Sequence, residues 1–152
     1  MKFIDVLKSR EGRPIDFVTI EPKIAKLAKK FNLSLIYIFG SYASNSAGKL
    51  SDVDTAVLGK KNLTPDEIIA IISSLVDIFE DEAIDLVDLN VAPLTLIHRV
   101  LKEGRCLFAS SLRAKIEFET RYEGFYLDTK HLRDEYLRAL ERRLLNGTFG
   151  GI

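Results

Sequence analysis

Residues Ile36–Leu58 read IYIFGSYASNSAGKLSDVDTAVL. An apolar run ends at Gly40-Ser41, a small and polar stretch follows, and a second apolar run opens on Asp52-Val53-Asp54. Leu33–Phe39 (LSLIYIF) is β-branched, aromatic and nearly all apolar, which predicts a buried strand. Val53–Leu58 predicts a second. In a strand, residues i and i+2 face the same side, so Asp52 and Asp54 project together with Val53 opposite. Two carboxylates held this close repel each other. A divalent cation removes that cost, and one or two carboxylates plus substrate phosphates suit Mg²⁺. Gly40-Ser41 sits where the first strand ends and a short helix over 41–47 can begin. Backbone N–H groups at a helix start favour anionic oxygens. Gly40 lets a phosphate approach the backbone closely, and the Ser41 hydroxyl can donate to it. The stretch therefore predicts a triphosphate at one end and Mg²⁺ at the other. Surface Asp pairs are common and a Gly-Ser turn alone says little. Their spacing of ten residues, each attached to an apolar run, is what makes them specific.

Working outward, Ile20–Phe31 has apolar residues at helical spacing, with Pro22 placed in the first turn. Thr64-Pro65-Asp66-Glu67 is a helix start: an N-cap Thr, Pro at N1 and Glu67 at N3 completing a capping box. That helix is predicted to reach about Phe79. Ile84–Leu89 predicts a third strand, Pro93–Glu103 a helix ended by Gly104, and Arg105–Phe108 a short fourth strand at an edge. Leu112–Leu145 is helical in character, with Gly124 placed to bend or divide it. Leu132, Tyr136, Leu137, Leu140 and Leu144 form an apolar stripe that could pack on the sheet or against a partner chain. The expected class is α+β: a small mixed sheet flanked by helices, in one domain over 1–152, with a C-terminal helical segment over 111–146.

Composition narrows the function classes. No run of 18 apolar residues occurs, so no membrane span is expected. The N-terminus lacks an apolar core long enough for a signal peptide. A single cysteine, Cys106, rules out an internal disulfide framework and a thiolate zinc site within one chain. A reducing cytoplasm is the default location. Net charge is zero, but residues 50–90 hold two Lys and ten acids. No basic stripe of the kind that tracks a nucleic-acid backbone is present, so no direct nucleic-acid binding is expected.

Gly40-Ser41, ten residues, then Asp52-Val53-Asp54 resembles the GS-x10-DxD signature of the DNA polymerase β-type nucleotidyltransferases. More narrowly, the chain resembles the minimal nucleotidyltransferases, the MNT antitoxins that partner HEPN ribonuclease toxins. The likeness takes in Ile84–Leu89 and Asn90 (IDLVDLN), the Glu103-Gly104 turn and FETRYEGFYLDTKHLRDEYL over 118–137. It implies a polymerase β-like nucleotidyltransferase fold and a nucleotide held among the Gly-Ser turn, the DxD strand and a third acid on a neighbouring strand. It also implies two Mg²⁺ ions and transfer of AMP from ATP to a tyrosine of a HEPN toxin. Many relatives read GS-x-A-x-G after the strand, often with Arg before the last Gly. This chain keeps Ala43, has Ser44 in place of that Arg and Asn45 in place of the Gly, and offers Lys49 as a substitute cation.

The third strand has two acids, Asp85 and Asp88, three apart and therefore on opposite faces. Asp85, preceded by aliphatic Ile84, is similar to the family's strand acid. Asp88 reads as a cap or surface charge before the loop to Pro93. The expected site is thus Gly40 and Ser41 for nucleotide, with Asp52, Asp54 and Asp85 for metal and catalysis. His98 and His131 lack a second His at ligand spacing and read as structural or surface residues. Cys106 reads as a buried small hydrophobe. Tyr122, Phe125 and Tyr126 could stack a base but sit at the spacing of core or interface residues. Arg138, Arg142 and Arg143 read as a solvated face. Two other functions compete. One is nucleotidyl transfer to a small molecule, for which the chain has little room. The other is a non-catalytic module that neutralises a toxin by contact. A homo- or hetero-oligomer is compatible with either.

Overall fold

The computed structural model describes residues 7–8, 14–40 and 52–147. Ser41, the expected short helix over 41–47, and Lys49 lie outside the described residues. Two short strands, β1 (Leu7–Lys8) and β2 (Pro14–Ile15), pair antiparallel ahead of the main body. The body runs α1 (Phe17–Lys30), β3 (Leu33–Phe39), β4 (Val53–Gly59), α2 (Pro65–Phe79), β5 (Ile84–Asp88), α3 (Leu94–Glu103), β6 (Arg105–Ala109), α4 (Leu112–Asp128) and α5 (Lys130–Leu145). The expected α+β class holds.

Four strands form one mixed sheet in the order β5-β4-β3-β6. β3 pairs antiparallel with both β4 and β6, while β5 lies parallel to β4 across the α2 crossover. A parallel neighbour needs such a crossover, and α2 supplies it. β6 is at an edge, as its short length suggested.

Alternation along β3 and β4 divides the core between two faces. Ile36, Ile38, Val53 and Val57 pack with Ile24, Leu27, Ile71 and Leu75 of α1 and α2. Leu35, Tyr37, Phe39 and Ala56 pack with Ile97, Val100 and Phe118 of α3 and α4. Each large apolar side chain fully withdrawn from water contributes about 1.5–3 kcal/mol. The two faces together fix strand register, since a one-residue slip would exchange them. On the α3/α4 face the Tyr37 hydroxyl donates to Glu119 Oε1 at 2.9 Å, and Lys115 pairs with the same carboxylate. Burial and that hydrogen bond push the Tyr37 phenol well above its usual range.

Two boundaries differ from the sequence reading. α1 starts at Phe17 because Asp16 caps it, accepting from Val18 N at 3.0 Å and from the Thr19 hydroxyl at 2.8 Å. Pro22 therefore sits inside the helix, on its exposed side. The C-terminal segment divides at Thr129 and not at Gly124, which lies within α4 with open space around its Cα. The Thr129 hydroxyl donates to the Phe125 carbonyl, and the Thr129 N–H to the same oxygen, which closes α4. α2 begins as its capping sequence indicated, with Glu67 N donating to Thr64 Oγ1 at 3.2 Å.

α5 buries none of its residues, so the stripe including Leu132, Tyr136, Leu137 and Leu144 does not pack on the sheet. A triple stack ties α5 down. The His98 ring of α3 lies 3.5 Å from the Tyr126 ring of α4, parallel to within 1°. Arg133 of α5 places its guanidinium carbon 3.6 Å from the same ring centre. Groups this close must take opposite faces of the ring, so both faces of Tyr126 are covered within the chain and closed to a base. Tyr122 is half-buried between Phe118 and Phe125. Arg138, Arg142 and Arg143 are exposed, as expected.

Candidate active site

One end of the sheet gathers the residues that the sequence singled out. β3 ends there at Phe39, and antiparallel β4 begins there, with Phe39 paired to Asp54. β5 begins there because it runs parallel to β4, and β6 begins there because it runs antiparallel to β3. Gly40, Asp52, Asp54, Asp85 and Gly104 thus converge although 64 residues separate the first from the last.

The register between β4 and β5 decides which acids meet. Asp54 is the direct partner of Asp85, and Val57 is the partner of Asp88. Paired residues in a parallel ladder point to the same side, so Asp54 and Asp85 share the face on which α3 and α4 pack. Asp52, two residues before Asp54, lies just ahead of the strand and is exposed. Asp88 belongs to the opposite face at the far end of β5. It accepts from Asn90 N at 3.0 Å and so shapes the turn after the strand. His98 is spent on Tyr126 and His131 is exposed, so neither joins the acids.

Buried groups hold this arrangement in place. Thr55 is fully buried, and its hydroxyl donates to the Asp85 carbonyl oxygen at 2.8 Å. Val53 N donates to the Ala83 carbonyl at 2.8 Å, and Asp81 Oδ1 accepts from Ala83 N at 2.9 Å. At the other end of β4, the Asn90 amide bonds both the N–H and the carbonyl of Gly59. β5 cannot slide along β4 without breaking the bonds made by Thr55, Val53 and Asn90.

Gly40 has φ +70, a conformation that side chains with a Cβ rarely adopt. A Cβ there would also collide with Asp54 Oδ2. The glycine therefore leaves room for the Asp54 carboxylate at the strand end.

The electrostatics are those of crowded acids. Burial first, then the Asp85 carboxylate and more weakly Asp52, push the Asp54 carboxyl above its ordinary value. Arg99 of α3 opposes them. Its guanidinium carbon is 5.7 Å from the Phe39 ring centre, and its Nε donates to Glu103 Oε2 at 3.2 Å. The sequence reading did not single out Arg99. It lies 45 residues from Asp54 and on another element, and only the strand order brings the two together.

Asp52, Asp54 and Asp85 are the residues that could hold a divalent ion. All their donors are hard oxygens, and Asp54 carries repulsion that a cation would relieve. Among the described residues no three His, Cys, Asp or Glu side chains close into a metal cage. Mg²⁺ is commonly held by one or two carboxylates with substrate phosphates completing its shell, so an open acidic face fits it. Cys106, in β6, is half-buried, and its Sγ lies 3.2 Å from the Phe108 carbonyl oxygen. Burial raises its thiol pKa, which leaves it unreactive.

A mixed sheet with a glycine turn facing paired strand acids is the layout of a nucleotide-transferring enzyme. The family model described as polymerase beta, nucleotidyltransferase matches residues 22–113, well over half of the chain, and the chain belongs to this family. It is 35% identical over 95 residues to the protein adenylyltransferase MntA of Shewanella oneidensis. The aligned part is 59% of this chain and 66% of that relative, just under two thirds of its length. Among solved structures, it matches a chain of the tri-AMPylated Shewanella oneidensis HEPN toxin in complex with MNT antitoxin, with TM-score 0.66 and 26% identity. That match covers 82% of this chain and 98% of the other. A toxin–antitoxin structure with AMP-PNP matches with TM-score 0.59 and 27% identity, covering 77% of this chain and 98% of the other. None of the described helices is long and apolar enough to cross a membrane.

Proposed function

We propose that this chain is an Mg²⁺-dependent adenylyltransferase that moves AMP from ATP to a tyrosine hydroxyl of a HEPN toxin, and so acts as its antitoxin in the cytoplasm. The observation that carries the reading is the parallel register that sets Asp54 beside Asp85, next to Gly40, in a member of the nucleotidyltransferase family. The named relatives supply the acceptor class: one is a protein adenylyltransferase, and another match comes from a complex with an AMPylated HEPN toxin.

In this mechanism the Gly40-Ser41 turn receives the triphosphate, with backbone N–H groups and the Ser41 hydroxyl donating to its oxygens. Asp52, Asp54 and Asp85 would hold the metal ions. Bound Mg²⁺ would neutralise the phosphate oxygens and steady the attacking and leaving oxygens in line. Asp85, exposed at the head of β5, takes the proton of the acceptor hydroxyl. The acceptor oxygen forms a bond to the α-phosphorus, the bond to the β-phosphate bridge breaks, and pyrophosphate leaves. Positioning and charge neutralisation carry most of the rate.

The test is incubation of the chain with labelled ATP, Mg²⁺ and a HEPN-domain toxin. Mass spectrometry should find AMP on a partner tyrosine. Asp85→Asn should remove nearly all transfer while keeping ATP binding, and Asp88→Asn should cost far less. Neutralisation of an unmodified toxin by an Asp52→Asn/Asp54→Asn double variant would replace this reading with contact inhibition.

A further inference from the structure

We propose that Arg99 is a phosphate-binding side chain of the nucleotide site, reaching the terminal phosphates of ATP from α3; the inference rests on the adenylyltransferase reading above. α3 crosses the α3/α4 face and stops at Gly104, whose N–H bonds the Val100 carbonyl at 2.8 Å. A Cβ on Gly104 would press on the Val100 and Ile38 carbonyls, so the helix end can sit this tightly over β3 only with glycine there. The last turns of α3 therefore lie above the strand end that carries Phe39 and Gly40. Arg99, on these turns, has its guanidinium over the Phe39 ring, one residue before Gly40 and directly across the ladder from Asp54.

The simplest alternative is a surface ion pair. Arg99 and Glu103 are four apart on an exposed helix face, and such pairs contribute only a few tenths of a kcal/mol. That pairing accounts for Nε alone. The two terminal nitrogens make no hydrogen bond to the described residues. A guanidinium fork with both outer nitrogens open matches the bidentate geometry of a phosphate. The Phe39 ring beneath it restricts the side chain, which lowers the entropy lost on gripping a ligand.

Charge gives the arm a purpose. The site assembles Asp52, Asp54 and Asp85 and is read as receiving a polyphosphate. Arg99 lies over Phe39, the residue that pairs with Asp54 across the β3–β4 ladder.

The experiment is calorimetric titration of wild type, Arg99→Ala, Arg99→Lys, Glu103→Gln and Lys49→Ala with ATP and with AMP, each with Mg²⁺. Arg99→Ala should weaken ATP at least tenfold and leave AMP within twofold, with an unchanged melting temperature. Arg99→Lys should recover part of the loss, since it restores charge without the fork. Glu103→Gln should bind ATP as wild type does, or more tightly. Wild-type ATP affinity in Arg99→Ala would overturn the inference while leaving the adenylyltransferase reading intact. So would equal losses for ATP and AMP, or the whole ATP-specific loss appearing in Lys49→Ala. Failure of wild type to bind ATP at all would overturn both.

Discussion

Asp54→Asn should make the metal-free protein more stable while abolishing transfer. Asp54 lies beside Asp85 in the β4–β5 ladder, and burial and the Asp85 charge both hold its carboxyl above the ordinary value. Like charges on directly paired strand positions cost about 0.2–1 kcal/mol. Solvent access and the opposing Arg99 keep the relief at the lower half of that range. Asn is nearly the same size, so packing beside Gly40 is retained. For a domain of this length about 1 kcal/mol moves the melting temperature by roughly 2–4 °C, so the variant should melt about 1–2 °C higher in EDTA near neutral pH. The pH dependence has a definite sign. A carboxyl whose folded-state pKa is raised contributes stability below its unfolded pKa, and that stability is lost as pH rises through the folded value. The advantage of Asp54→Asn should therefore be present at neutral pH and shrink as pH falls into the usual carboxylate range. Adding Mg²⁺ should raise the melting point of wild type more than that of the variant. Thermal unfolding by circular dichroism at several pH values, with and without Mg²⁺, reads all three effects. A variant that melts below wild type in EDTA at neutral pH, or a gap that does not narrow on acidification, would refute the reasoning.

Gly40→Ala should lower stability by roughly 1–2 kcal/mol from its left-handed backbone alone, and transfer should fall further because the new methyl displaces the Asp54 carboxylate; chemical denaturation alongside the transfer assay separates the two. Tyr37→Phe should cost about 0.5–1.5 kcal/mol by removing the hydrogen bond to Glu119, with ATP affinity unchanged. Arg133→Ala should free α5 from Tyr126 and speed proteolysis within residues 130–145 without moving the main melting transition, because α5 buries no residue; a lower main transition would show that α5 belongs to the core.

Much of the fold could be read from local pattern. The apolar run of β3 and the Thr64-Pro65 start of α2 carry their signals within a few residues, and both fell where expected. The Asp16 cap was overlooked because Pro22, read as a first-turn residue, set the start at Ile20, although an aspartate before an apolar-periodic segment is itself a capping signal. Gly124 drew attention as a breaker, yet Thr129 ends α4 with its own hydrogen bonds to the Phe125 carbonyl. The acid pair was partly legible: alternation showed that Asp85 and Asp88 must face opposite ways. Which of them faces Asp54 depends on the β4–β5 register, a long-range fact. Arg99 and the His98–Tyr126–Arg133 stack were hidden for the same reason, since each joins separate elements that no local pattern relates.

The pairing of Asp54 with Asp85 also bears on how such a site can change over evolutionary time. The two positions are 31 residues apart, and almost all of that separation is α2 and its flanking turns. Lengthening α2 by whole turns, or inserting residues in the turn before Thr64, would leave both acids where they are. Removing one residue between the Ala83 anchor and Asp85 would swing that carboxylate to the α1/α2 side and bring Leu86 into its place. Tolerance is thus a matter of parity rather than distance. Related chains with very different spacings can keep the same site, whereas a near-identical chain with one deletion in this short window would have lost it.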